Sequence, residues 1–154
     1  MEHLVSYSLS GQFSSIVIST KLPENLWSEV IKDCSWTEDY LQINESAFFF
    51  SLGSDAVNQL ITFYLFFNSI PEGKQCSRLL KGTFESKGEA VFLESIDDMS
   101  FTGNRSFFLP SGRYHVECRS WNLENGVDVF EPFINVMIQN IRHEIAFVAC
   151  TGSQ

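Results

Sequence analysis

The sequence has few basic residues: 10 Lys and Arg stand against 19 Asp and Glu, which gives a formal net charge of −9. Proteins that bind DNA or RNA contact the phosphates through clustered Lys and Arg side chains. The charge therefore argues against direct nucleic-acid binding and favours a basic protein as the partner. An acidic composition also serves solubility alone, so charge by itself does not select between these two roles.

Segments that would mark a membrane span, a leader or disorder are also missing. The longest apolar stretch, Leu60 to Phe67, is interrupted by Thr62 and falls far short of the ~20 residues of a membrane helix. The first six residues show no basic region followed by an apolar one, so no secretory signal is predicted. Only 4 residues are Pro and 15 are Phe, which favours packed β-structure. We expect a cytoplasmic protein that folds as one domain over residues 1–154 and has no membrane contact.

Motifs that carry catalytic or metal chemistry are missing as well. The four cysteines form no C-x-x-C pair and are spread along the chain at Cys34, Cys76, Cys118 and Cys150. This spacing argues against zinc, and without an export signal it predicts reduced thiols. No phosphate-cradling glycine loop or nucleophilic serine motif is present. We therefore expect no enzymatic activity, no cofactor and no metal.

The sequence does contain β-strand patterns, and the plainest lies between Arg113 and Trp121. Its residues alternate between an apolar and a polar side, the apolar side being formed by Tyr114, Val116 and Cys118 and the polar side by Arg113, His115, Glu117, Arg119 and Trp121. A period of two is typical of a strand with one buried and one exposed face. The polar side resembles a cross-strand ladder of ion pairs more than a catalytic His-Glu pair. Pro110 and Gly112 in the turn before it predict a β-hairpin with the strand around Phe107.

Further strands are predicted along most of the chain, at residues 4–9, 13–20, 39–44, 47–52, 59–67, 76–85, 89–93, 132–139 and 142–149. Turns at residues 10–12, 86–88 and 140 predict that the strands on either side of each pair with one another. Both faces of residues 59–67 are apolar, which predicts a strand in the middle of the molecule. Pro23 and the helical spacing of Leu26, Trp27, Val30 and Ile31 predict one short helix at about residues 23–33. The predicted fold is mainly β: a two-layer antiparallel β-sandwich with one short helix.

In this order the segments resemble the competence protein J family of nuclease inhibitors. The resemblance rests on the pair Gln12-Phe13, on Trp27, and on the stretch from Phe107 to Cys118, followed by Trp121. That stretch has the pattern Phe-x-Leu-Pro-x-Gly-x-Tyr-x-hydrophobic-x-Cys. The resemblance implies a small cytosolic protein that binds and silences a nuclease. This chain departs from the family pattern by a fuller helical insert around residues 24–34 and a strand pair continuing beyond residue 139.

Two acidic regions could face a basic groove in such a partner. The first region, residues 24–55, holds seven acids against the single base Lys32. The second region, residues 94–98 and 124–131, holds acids without any base. We favour the second region, because its loop after Trp121 is flanked by aromatic residues of the kind that anchor interfaces. The predicted partner-binding residues are Trp121, Glu124, Asp128, Glu131, Asp97 and Asp98, with Glu94 preceding the last two.

Two other functions fit the same sequence. One is an immunity protein against a toxin that is not a nuclease, which an acidic binding surface would also serve. The other is a β-sandwich module that binds carbohydrate or another small ligand through surface aromatics on the Trp121 side.

Overall fold

The structure is a computed structural model, and it describes residues 1–9, 15–20, 39–53, 59–70, 76–95, 105–123 and 141–150. These residues form ten strands: β1 (Glu2–Leu9), β2 (Ser15–Ser19), β3 (Tyr40–Asn44), β4 (Ala47–Ser51), β5 (Gln59–Phe66), β6 (Arg78–Ser86), β7 (Ala90–Ser95), β8 (Ser106–Phe108), β9 (Gly112–Trp121) and β10 (Ile141–Ala149). Sheet A has the order β1-β5-β10-β9-β6, and sheet B has the order β3-β4-β2-β7-β8. No helix of the described part is long and apolar enough to cross a membrane.

The core lies between the two sheets and is rich in phenylalanine. Fully buried rings come from both layers: Phe48 and Phe50 from sheet B, and Phe63, Phe84 and Phe147 from sheet A. Aromatic contacts join the layers, for example between Phe48 and Phe84 with ring centroids 6.1 Å apart. Such pairs add stability beyond the area that they bury. The predicted two-layer, mainly β sandwich is confirmed.

Strand β9 has the two faces that its alternation predicts. Tyr114, Val116 and Cys118 are buried in the core, whereas His115 is exposed and Glu117 is half-buried on the outer face. Period two fixes which side of a strand is buried, since the apolar side chains all project to one face. The face assignment of β9 is therefore correct along its length.

Three predicted hairpins are wrong. The pairs β1 and β2, β6 and β7, and β8 and β9 follow one another in the chain, but their members belong to opposite sheets. The turn at Pro110 thus carries the chain from sheet B to sheet A, and it is held by the Tyr114 hydroxyl, which donates to the Pro110 carbonyl at 2.6 Å. The alternation of apolar residues is the same whether the next strand pairs in the same sheet or lies in the opposite sheet. The sequence pattern therefore does not distinguish a hairpin from a crossover between the sheets.

Strand β5 departs from the prediction in two ways. It runs parallel to β10, whereas every other described pairing is antiparallel. It also lies second in sheet A, while β10 takes the central position. Ile61, Phe63 and Leu65 are buried in the core, but Leu60 on the outer face is exposed. On the same outer face Thr62 and Phe66 are buried and Tyr64 is half-buried, so β5 is covered on both faces along most of its length, as its apolar sequence predicts.

The outer edge of β6 is closed by side chains from the β3–β4 hairpin. The Gln42 amide donates to the Thr83 carbonyl at 2.9 Å and accepts from the Thr83 N–H at 3.3 Å. Ser46 donates to the Glu85 carbonyl at 2.7 Å. These bonds satisfy backbone groups that would otherwise be open to another strand.

Some predictions fall outside the described residues. These are the helix at about 23–33, the strand at 132–139 and the turn at residue 140. The cysteines of the described part, Cys76, Cys118 and Cys150, form no disulfide with one another.

Candidate protein-interaction surface

Most strands begin or end at the same end of the sandwich, and these include the strands that flank the acidic segments. In sheet A, β1 and β9 end there and β5, β6 and β10 begin there, because the register pairs Leu9 with Gln59, Gln59 with Ile141, and Arg142 with Trp121. In sheet B, β4 and β7 end there and β2, β3 and β8 begin there. Arg78 of sheet A contacts Asp39 and Ser51 of sheet B, which shows that the two ends coincide. We call it the Trp121 end.

Four connecting segments leave and return at the Trp121 end: residues 10–14, 54–58, 96–104 and 124–140. Their sequences contain six acids and no base, namely Asp55, Asp97, Asp98, Glu124, Asp128 and Glu131. The predicted site residues Asp97, Asp98, Glu124, Asp128 and Glu131 lie outside the described residues. The fold shows that the strands flanking both predicted acidic segments terminate together.

The strand framework itself is almost neutral. The described residues contain eight acids and seven bases, and the remaining residues contain eleven acids and three bases. The negative charge of the protein therefore resides almost entirely in the connecting segments.

Trp121 is the last residue of β9 and lies half-buried on the outer face of sheet A. Its ring is covered by Arg142 of β10, whose guanidinium carbon is 4.7 Å from the ring centroid. Stacking of this kind is a cation–π interaction and holds the arginine in one place. Leu60, which is opposite Arg142 in β5, is 37% exposed beside it. Trp121 therefore lies on the outer face of sheet A, where its position on the polar side of β9 predicts it, and Arg142 covers one face of its ring.

The outer face of sheet A below Trp121 is a ladder of charged side chains. Arg119 forms an ion pair with Glu117 at 3.0 Å, and Lys81 of the neighbouring strand approaches the same carboxylate at 4.0 Å. His115 is exposed and makes no side-chain hydrogen bond to the described residues. The polar side of β9 is thus the ion-pair ladder that its sequence predicts, with no oriented partner for His115.

A buried polar cluster, which the sequence reasoning missed, lies directly beneath Trp121 and Arg142. Nε2 of His143 donates to the Gln59 amide oxygen at 2.8 Å, and Nδ1 accepts from the Ser120 hydroxyl at 2.7 Å. Burial, with the nearby Arg78 charge, lowers the pKa of His143 to about 3. The neutral ring therefore bridges three strands. Its sequence signal is weak: Ser120 continues the inward alternation after Cys118.

Arg78 closes the same end between the two sheets. Its guanidinium donates to the Ser51 carbonyl and lies 3.5 Å from the Asp39 carboxylate. Burial lowers the pKa of Arg78, and the Asp39 charge opposes that shift. The interactions tie β6 to sheet B, so the strands that carry Trp121 and Arg142 are braced from within.

Two acids of the predicted regions are not available at the Trp121 end. Glu94, which precedes Asp97 in the favoured region, is 2% exposed and is part of the interior. Glu45, which belongs to the region of residues 24–55, lies in the β3–β4 turn at the opposite end of the sandwich. The two described acids of residues 24–55, Asp39 and Glu45, therefore lie at opposite ends of the sandwich.

Within the described ranges, His, Cys, Asp and Glu form no group of three or more that could hold a metal. Burial also raises the pKa of the Cys118 thiol to about 12, so the thiol is protonated and behaves as a small apolar core residue.

No protein-family model and no curated protein sequence matches this chain. Among solved structures, it is similar to ComJ from Bacillus subtilis, an inhibitor of the DNA-degrading activity of NucA, with 20% identity and a TM-score of 0.61 over 96% of this chain and 97% of that chain. It also matches the product of crocagin biosynthetic gene J, with 11% identity and a TM-score of 0.47 over 94% and 95% of the two chains. The similarity to ComJ extends along nearly the whole length of both proteins, and the chain therefore has a ComJ-like fold.

Proposed function

We propose that this protein binds a nuclease and blocks its DNA-binding groove with carboxylates gathered at the Trp121 end. The observation that carries the proposal is the convergence of strand ends: the four segments anchored there bring six acids and no base. The fold shared with ComJ, an inhibitor of a DNA-degrading enzyme, supports the nuclease as partner.

The physical basis of inhibition is charge complementarity. A groove that holds DNA is lined with cations, and carboxylates on a rigid support can occupy the positions of phosphates. Opposite charges steer the two proteins together, which raises the association rate by 10 to 10³-fold at low salt. A scaffold braced by Arg78 and the His143 cluster loses little conformational entropy on binding.

The same surface supports a binding role rather than catalysis. His143 is buried and both of its ring nitrogens are engaged in hydrogen bonds, while His115 has no oriented partner among the described residues. A general base needs a proton within reach and a partner that orients it. We propose that the protein is not an enzyme, needs no cofactor, binds no nucleic acid directly and acts in the cytoplasm on a basic partner.

A DNA-cleavage assay tests the proposal. The protein is titrated into NucA, and separately into a nuclease encoded beside its own gene, and loss of cleavage is measured against the molar ratio. We expect cleavage by its cognate nuclease to stop near equimolar protein. Undiminished cleavage by both nucleases at a large molar excess would contradict the proposal. In that case, neutralisation of a toxin without nuclease activity would indicate the alternative immunity role.

The carbohydrate-binding alternative gains less support from the surface. Sugar-binding aromatics offer an open ring face, whereas one face of Trp121 is occupied by the Arg142 guanidinium. Retention of the protein on immobilised polysaccharide, together with unchanged DNA cleavage, would nevertheless favour that alternative.

A further inference from the structure

Arg142 is an unusual cation for its position. It lies on the outer face of sheet A at the Trp121 end, where the anchored segments carry six acids and no base. Among the described residues no carboxylate lies within ion-pair distance of its guanidinium, which stacks on the Trp121 ring.

The stack on Trp121 prepares Arg142 for binding. A free arginine loses side-chain rotamer entropy when it is fixed, and part of that loss is already met by the contact with the indole. Ser120 and His143, which adjoin the stacked pair in β9 and β10, are locked in the buried cluster. The guanidinium is held over the indole, and among the described residues its N–H groups have no acceptor.

A planar guanidinium with open N–H donors fits a carboxylate in a two-point arrangement. Phosphate has similar geometry, but the acids at this end disfavour nucleic acid as the occupant. Leu60, 37% exposed, and Leu79, 44% exposed, lie on the same face and offer apolar contact around the stacked pair. Tryptophan and arginine surrounded by such contacts are the residue types that dominate binding energy at protein interfaces.

We infer that Arg142, held by Trp121, binds a carboxylate of the nuclease partner and forms the cationic anchor of an otherwise acidic interface. The inference rests on the proposed function and deepens it: the partner must present an acidic residue next to its basic groove. The device also gives specificity, because a partner that is basic throughout would be repelled by Arg142.

The direction in which binding changes when the charge of Arg142 is removed tests this inference. If Arg142 faced the basic groove, removing its charge would tighten binding. If Arg142 faces a carboxylate of the partner, as we infer, removing its charge weakens binding. We expect Arg142→Gln to raise the dissociation constant for the nuclease about tenfold or more, mainly through faster dissociation. Arg142→Glu is expected to weaken binding further, because two carboxylates then face each other. Arg142→Lys keeps the charge but loses the planar fork, so its effect should be smaller than that of Arg142→Gln.

The chain offers a matched control in Arg113, which is exposed on the same face of β9 at the opposite end. It lies eight residues from Trp121, or about 26 Å along the strand. Arg113→Gln removes the same charge and is expected to change the dissociation constant less than about twofold. Arg113→Gln should unfold at the same temperature as the unaltered protein, whereas Arg142→Gln loses the stack on Trp121 and should unfold at a slightly lower temperature.

The outcomes separate the inference from the proposed function. Binding of the unaltered protein together with equal or tighter binding of Arg142→Gln would overturn the anchor and leave the inhibitor role intact. Failure of the unaltered protein to bind the nuclease would overturn both.

Discussion

The Ser120 hydroxyl donates to Nδ1 of His143 across 2.7 Å in the interior of the sandwich. Ser120 directly precedes Trp121, and His143 directly follows Arg142. The inward-facing members of the two strands are thus bonded to each other, while the outward-facing members stack on the surface. The buried bond and the surface stack hold the same pair of strands in register.

The burial of His143 predicts a pH dependence of stability. Its pKa is about 3 in the folded protein, against 6.5 for an exposed histidine. The unfolded chain therefore binds more protons between these values, so stability is fully present above about pH 6.5 and is lost as the pH falls towards 3. The slope is up to about 1.4 kcal/mol per pH unit.

Chemical denaturation at pH 6.5 and pH 5.0 measures this effect against His143→Gln, whose amide retains hydrogen-bonding capacity without a titratable group. The unaltered protein is expected to lose about 2 kcal/mol more than the variant over this interval. Equal losses would show that His143 is not the source of the dependence.

Gly82 of β6 leaves room for the ring of Tyr40 between the two sheets. A Cβ atom at position 82 would lie 1.7 Å from the Tyr40 hydroxyl oxygen and 2.4 Å from Cζ. Tyr40 is stacked on Phe48 in the core and cannot retreat without breaking that packing. Gly82→Ala should therefore reduce the free energy of unfolding by about 2–4 kcal/mol. The neighbouring change Thr83→Ala, on the exposed side, should cost less than about 1 kcal/mol in urea denaturation; similar losses for the two variants would count against the steric account.

The Gln42 side-chain amide forms hydrogen bonds to the Thr83 backbone that a neighbouring strand would otherwise form at the edge of β6. In Gln42→Glu, an oxygen replaces the nitrogen that donates to the carbonyls of Asn44 and Thr83 at 2.8 and 2.9 Å. The lost donor and the repulsion between oxygens should lower the free energy of unfolding by about 1–3 kcal/mol at neutral pH. Light scattering on prolonged incubation should also rise, because an open edge can pair with another chain. A variant as stable and as monodisperse as the unaltered protein would exclude this role for Gln42.

The sequence predicts the layers of this fold better than the connections between them. The alternation from Tyr114 to Cys118 identifies the buried face of β9, because side chains on a strand follow a period of two. The turn at Pro110 is also predicted from the sequence, but the sheet that the chain joins after the turn is not. Phe107 and Tyr114 on either side of it both project into the core, and they do so from opposite sheets. Local chemistry marks the turn, and only packing decides which layer the next strand joins.

The candidate surface is predictable to a similar degree. Trp121 and the acidic segments are visible in the sequence, since a loop rich in carboxylates beside an aromatic residue is a recognisable pattern. The stacking of Arg142 on Trp121 and the contact of His143 with Gln59 are not visible, because they join residues brought together by the β9–β10–β5 pairing. Long-range pairing in sheet A creates both features.

The most direct test of the central claim is the association rate with the inhibited nuclease as a function of salt. In one variant, Glu124→Gln, Asp128→Asn and Glu131→Gln remove three acids from a segment anchored at the Trp121 end. In the control, Glu2→Gln, Glu45→Gln and Glu89→Gln remove three exposed acids at the opposite end. We expect the first variant to associate about tenfold more slowly at low salt, with a flatter salt dependence, and the control to stay close to the unaltered protein. Equal rates for the two variants would contradict an interface at the Trp121 end.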